Sequence, residues 1–113
     1  MSLPEPEVQA QYEAALIAAF AAEFAASCLA CVRSAPLPSA FDRGELVQTA
    51  AQLKAACDRA ELGQTSTPPG FSPSDARAAA RNVIDAAESG QRELRRAAQR
   101  ALHALSISAI RAT

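Results

Sequence analysis

Two groups of residues in this sequence are of types that perform chemistry. Cys28 and Cys31 form a C-x-x-C pair in the stretch SCLACVR, with the spacing of a metal-binding clip or a redox pair. The second group lies in RELRRAAQRALH, residues 92–103, where arginines precede His103, the single histidine of the chain. Thiolates bind zinc, and histidine changes its charge near neutral pH. Each group is best judged from the helix that would carry it.

The three cysteines are predicted to be core residues. On a helical wheel of 100° per residue, one stripe within an arc of about 120° contains Leu16, Ile17, Phe20, Phe24, Cys28 and Cys31. Cys57 lies in the apolar seam of the next helix. In an antiparallel hairpin, Cys28 and Cys57 would be offset axially by roughly 13 Å, too far to share one ion. The pair also lies near a helix C-terminus, whereas a helix N-terminus lowers a thiol pKa. We expect no cofactor and no metal, with Cys28 and Cys31 the ligands if one binds.

The arginine-rich segment predicts an amphipathic helix with a cationic face. Arg92, Arg96, Arg100 and His103 fall within about 80° of one another, opposite the leucines of the same segment. Such a face is typically solvated, and it can also bind a nucleic-acid backbone. The near-neutral composition, with a formal net charge of −1, makes nucleic acid a possible but disfavoured partner.

The spacing of Arg96 and His103, with six residues between them, resembles the Arg-x(4–6)-His motif of the HEPN family of small all-helical ribonucleases. The resemblance covers one helix. It implies that Arg96 and His103 act together on an RNA phosphate, usually across a dimer. This chain carries Ala97 where the family often has a polar residue. A HEPN-like ribonuclease or RNA-binding protein is therefore the alternative function.

The positions of capping residues, prolines and glycines along the chain predict an all-α, small antiparallel helical bundle of three to four helices. Capping residues precede two helices, at Asp42 with Glu45 and at Ser72, and prolines or glycines end the preceding ones. The predicted helices span residues 5–33, 43–62, 73–89 and 91–111. The last two form one bent helix if Gly90 is interior, because small and apolar residues keep a 4-3 alternation through it. We expect residues 1–113 to form a single domain.

Composition indicates the compartment. The 29 alanines and ten arginines suggest a bacterial protein, and three cysteines, an odd number, favour a reducing cytoplasm over a disulfide framework. The apolar run at 14–32 is predicted to be a buried helix and not a membrane span. It contains Glu23, and no Lys or Arg precedes it as a signal peptide would require.

The predicted function is protein interaction. Leu29 and Val32 lie off the main stripe of the first helix, and Ile107 and Ile110 lie on the arginine side of the last one. Apolar residues outside a core indicate surfaces that bind a partner. We therefore expect a non-enzymatic module that forms a homo-oligomer, in the simplest case a dimer, or docks on another helical protein. We do not expect it to bind a membrane.

Overall fold

The computed structural model describes residues 6–33 and 42–112, with side chains as far as residue 105. Within these ranges the chain forms four helices and no strands: α1 (Pro6–Arg33), α2 (Arg43–Glu61), α3 (Pro73–Ala87) and α4 (Gln91–Ala112). The all-α bundle predicted from the sequence is confirmed, and each predicted helix boundary lies within two residues of the observed one.

Helices α2 and α3 begin where short polar side chains satisfy the first backbone amides. The Asp42 carboxylate accepts a hydrogen bond from the Glu45 amide at 3.2 Å, and the Ser72 hydroxyl accepts one from the Asp75 amide at the same distance. Pro73 follows Ser72 at the first helical position, where its missing N–H leaves no bond unmade. Both predicted caps are confirmed.

Consecutive helices run antiparallel. The guanidinium of Arg43 at the start of α2 donates to the Ala87 carbonyl at the end of α3, at 3.5 Å. At the other end, Arg77 of α3 binds Asp58 at 3.0 Å and Glu61 at 2.7 Å near the end of α2. Since α4 packs on both α3 and α1, the four helices close into a ring. These half-exposed ion pairs fix orientation and add about 0–1 kcal/mol each.

Gly90 separates two helices, so the alternative of one bent helix is wrong. The amides of Glu88 and Ser89 turn back onto the Asp85 and Ala86 carbonyls, and Gly90 adopts φ of 121°. Its carbonyl then accepts the Leu94 amide at 3.0 Å and opens α4. The 4-3 alternation continues through Gly90 because both helices present an apolar stripe to the same core. Periodicity alone therefore does not distinguish two helices from one continuous helix.

Replacing Gly90 with alanine is expected to destabilise the protein by about 1–3 kcal/mol, because a β-carbon disfavours this positive φ. No atom lies within 4 Å of the added β-carbon, so strain in the backbone is the sole cause. Urea denaturation gives the change in free energy of unfolding. Ser89→Ala, in the same turn, is the control and should change it by less than about 0.5 kcal/mol. Equal stability of the two variants would contradict the role of Gly90.

The core is built largely from small residues. Among the described side chains, eight of the seventeen buried apolar residues are alanines, and Phe24 is the largest that is fully buried. The next largest fully buried side chains are Ile17, Leu46, Leu53, Leu94 and Val83. Alanine favours helix and lets helices approach to about 8 Å, but each one removes little apolar area from water. The few large side chains therefore carry much of the packing.

The segment between α2 and α3 is attached to α1. The Glu13 carboxylate of α1 accepts the Ser66 amide at 2.9 Å, and Phe71 packs against the core. The Ser66 backbone hydrogen bond, with a smaller contribution from Gln9, lowers the pKa of Glu13 below its ordinary value of 4.5. The tether is therefore present above pH 4.5 and lost as pH falls through the depressed pKa.

Candidate functional site

All three cysteines lie in the core, as the wheel predicts. Cys28 and Cys57 are 0% exposed and Cys31 is 2% exposed. Burial raises the pKa of the Cys28 and Cys57 thiols to about 12, and it raises that of Cys31 against the opposing charges of Arg95 and Arg43. In the part of the chain that the structure describes, no three His, Cys, Asp or Glu side chains converge as metal ligands would. The thiols act here as small apolar side chains.

The buried thiols are expected to resist modification in the folded protein. At about pH 8, a thiol with a pKa near 12 holds on the order of a thousand-fold less thiolate than one near 9. Reaction with Ellman's reagent should therefore be slow for Cys28 and Cys57 and become fast in denaturant. An exposed thiol introduced by Ala51→Cys on α2 is the control and should react within the mixing time. Fast native reaction of all three cysteines would contradict their burial.

Arg96 and His103 lie on the same outer face of α4, where both side chains are exposed. They are two turns apart, about 10 Å along the helix axis. Arg96 approaches Glu93 of its own helix at 3.7 Å, which places a carboxylate beside the guanidinium. The groove at the start of α4 includes Arg96 but not His103. Arg96 and His103 therefore share one face. Among the described residues, no other group is seen to orient both of them toward a shared phosphate.

Among the described helices, α1 exposes the most large apolar side chains. No residue between 6 and 16 is buried, and the fully buried residues of α1 are confined to one stripe. The opposite side carries exposed alanines, including Ala15, Ala22 and Ala26, which point within about 40° of one another. Four large side chains on α1 are also exposed, Val8 (53%), Tyr12 (64%), Leu16 (40%) and Leu29 (38%). We call this set of residues the outward face of α1.

The predicted interface residues differ in their exposure to solvent. Leu29 is exposed at the edge of the outward face, in agreement with its predicted position. Val32 is half-buried and packs against the core, so it offers less surface than expected. The side chains of Ile107 and Ile110 lie outside the described residues. Leu16, expected on the core stripe, is exposed because the core is centred nearer Phe24 and Cys28.

The outward face of α1 is flanked by acidic residues on the α2 side and by basic residues on α4. A groove between α1 and α2 is lined by Glu23, Asp42 and Glu45, together with polar and small residues; we call it the acidic groove. The first turns of α4 form a second groove that contains Arg92, Arg95 and Arg96, with two glutamines; we call it the basic patch. α4 packs on α1, as α2 does, so the basic patch lies on the second helix that flanks α1.

The acidic groove and the basic patch lie at the same end of the bundle. The bond from Arg43 to the Ala87 carbonyl joins the start of α2 to the end of α3, and α4 begins a short turn later. The Nε atom of Arg95 is buried and makes no hydrogen bond to another described residue. At this end the α2 flank of α1 carries the three carboxylates of the acidic groove together with Arg43, and the α4 flank carries three arginines together with Glu93.

α1 is long and apolar enough to cross a bilayer, a property that core helices of folded proteins and signal sequences share. In this structure its buried stripe packs on α2 and α4.

Comparison with known proteins assigns no relative. No family model, no curated protein and no solved structure matches the chain.

Proposed function

We propose that the protein is a non-enzymatic interaction module that binds an apolar helical partner through the outward face of α1. The observation that carries the proposal is the exposure of four large side chains, Val8, Tyr12, Leu16 and Leu29, on a helix whose other outward residues are mostly alanine. Large exposed apolar surfaces on folded proteins mark sites of association. Alanine on the face lets a partner helix approach closely and pack in the manner of the core.

The chemistry of this face favours a protein partner over a lipid surface. Helices that lie on membranes carry Lys or Arg along their polar edge, where they meet anionic headgroups. Within α1 the sole basic residue is Arg33 at the last position, whereas Glu7, Glu13 and Glu23 are distributed along the helix. The proposal keeps the reducing cytoplasm as the compartment, which is supported by the odd number of cysteines.

Site-specific photo-crosslinking tests the proposal whatever the identity of the partner. A benzophenone amino acid replaces Leu16 on the outward face, and in a matched control it replaces Leu62, which is 73% exposed at the end of α2. Irradiation of cells that express the Leu16 variant should give one discrete adduct, and the Leu62 variant should give none. The absence of any adduct specific to Leu16 would refute the proposal.

The adduct mass also identifies the partner. Twice the mass of the 11.8 kDa chain indicates a second copy, and any other discrete mass indicates a different protein. Recovery of the Leu16 variant with lipid alone would assign the face to a membrane.

A further inference from the structure

We infer that the partner of the outward face of α1 is a second copy of this chain, with the two α1 helices parallel about a two-fold axis. The inference rests on the proposed function and adds the identity and the arrangement of the partner. Its basis is the placement of acid and base on opposite flanks of α1 at the same end of the bundle.

Symmetry decides which charges face each other. When two copies meet face to face about an axis parallel to α1, the α2 flank of one copy lies opposite the α4 flank of the other. The acidic groove of Glu23, Asp42 and Glu45 then faces the partner's basic patch, and the same contact occurs twice. An axis perpendicular to α1 makes the helices antiparallel and sets each flank against the same flank of the partner.

The size of the face requires these flanks to take part. At 28 residues α1 is about 42 Å long, and a contact strip about 10 Å wide buries roughly 400 Å² on each copy. The resulting total of about 800 Å² is below the roughly 1,200 Å² of a specific interface. Side chains of α2 and α4 that border α1 must supply the remainder. The acidic groove lies between α1 and α2 and the basic patch lies on α4, so their complementarity acts on the pairing.

The overall charge permits self-association. The formal net charge of −1 gives two copies little mutual repulsion, so the local fields of the flanks set their orientation. The charges act within about 10 Å, the screening length at about 0.1 M salt, and need not form direct ion pairs.

Disulfide cross-linking distinguishes the two arrangements. Ala15→Cys and Ala26→Cys each place a thiol at an exposed position of the outward face, three helical turns apart. In a parallel pair both variants link to themselves under mild oxidation. In an antiparallel pair at most one of them does, and mixing the two gives the hybrid link. Ala51→Cys, exposed on α2, is the control that should not link, and the native Cys28 and Cys57 are fully buried.

Charge reversal provides a second readout that does not depend on thiols. The double variant Glu23→Arg with Glu45→Arg, or the double variant Arg92→Glu with Arg96→Glu, should weaken its own dimer by about tenfold. An equimolar mixture of the two should recover native affinity, because each reversed flank again meets its opposite. Sedimentation velocity measures the dimer fraction, and circular dichroism verifies that each variant is folded.

The outcomes separate this inference from the proposed function. A dimer that gives only the hybrid cross-link, or that ignores charge reversal, overturns the parallel arrangement and leaves the interaction module intact. A monomer at high concentration, with a Leu16 adduct of another mass, overturns the second copy as partner. A monomer that floats with vesicles of phosphatidylcholine and phosphatidylglycerol overturns both proposals.

Discussion

Phe24→Ala is expected to lower the free energy of unfolding by about 3–5 kcal/mol, the usual loss when a buried phenylalanine is truncated. Phe24 is 0% exposed and is the largest side chain that the structure describes as fully buried. Eight of the seventeen buried apolar residues are alanines, which have no side-chain freedom with which to refill the space. The cavity should therefore persist, and the loss should fall at the upper end of the range.

The consequence is large because small domains are marginally stable. A total of about 5–15 kcal/mol is normal, so the variant should be partly unfolded near the top of the physiological temperature range. Thermal denaturation followed by far-ultraviolet circular dichroism measures the shift. Phe20→Ala on the same helix is the control, since Phe20 is half-buried at the edge of the core and should cost less. A greater loss at Phe20 than at Phe24 would contradict the packing described.

Local signals in the sequence predict most of the fold. Asp42 and Ser72 are short polar residues before apolar periodic segments, and the structure uses both as caps. Such boundaries are predictable because the first amides of a helix need acceptors whatever the tertiary context. The burial of Cys28, Cys31 and Cys57 follows in the same way from the helical period of about 3.6 residues.

The errors arise where tertiary packing decides. The alternation through Gly90 is compatible with one helix or with two that share a core, and only the positive φ of Gly90 distinguishes them. Leu16 lies at the edge of the predicted stripe, and which edge is buried depends on where α2 and α4 pack. In an alanine-rich helix the apolar pattern is nearly continuous around the wheel, so it does not identify the core side sharply.

The nearly continuous apolar pattern of α1 is also the reason that the outward face could not be identified from the sequence. The outward face of α1 is apolar in sequence, and it becomes recognisable as a surface only when the stripe of Phe24 and Cys28 is seen to be the buried one. A repeat of alanine at every fourth position, from Ala18 to Ala30, was the available signal. The flanking charges belong to α2 and α4, and only the antiparallel ring places them on either side of α1.

Ala22→Glu should weaken self-association by at least about 100-fold, because pairing of the outward faces would bury an uncompensated charge. Ala22 is exposed near the centre of the outward face, and glutamate is a good helix former, so the monomer should remain folded. The short glutamate stem does not carry the carboxylate out of a contact at the middle of the face, as a lysine or arginine stem would. Sedimentation velocity over a concentration series measures the dissociation constant.

Ala51→Glu is the matched control for this charge. Ala51 is also an exposed helical alanine, but it lies on α2 away from the outward face of α1. It should leave the dissociation constant within about threefold of the native value, since surface substitutions away from contacts change free energies by less than about 0.5 kcal/mol. Equal weakening by both variants would indicate a general effect of charge on solubility. Weakening at Ala22 alone would show that the two copies meet at α1, because the substitutions differ only in the face that carries them.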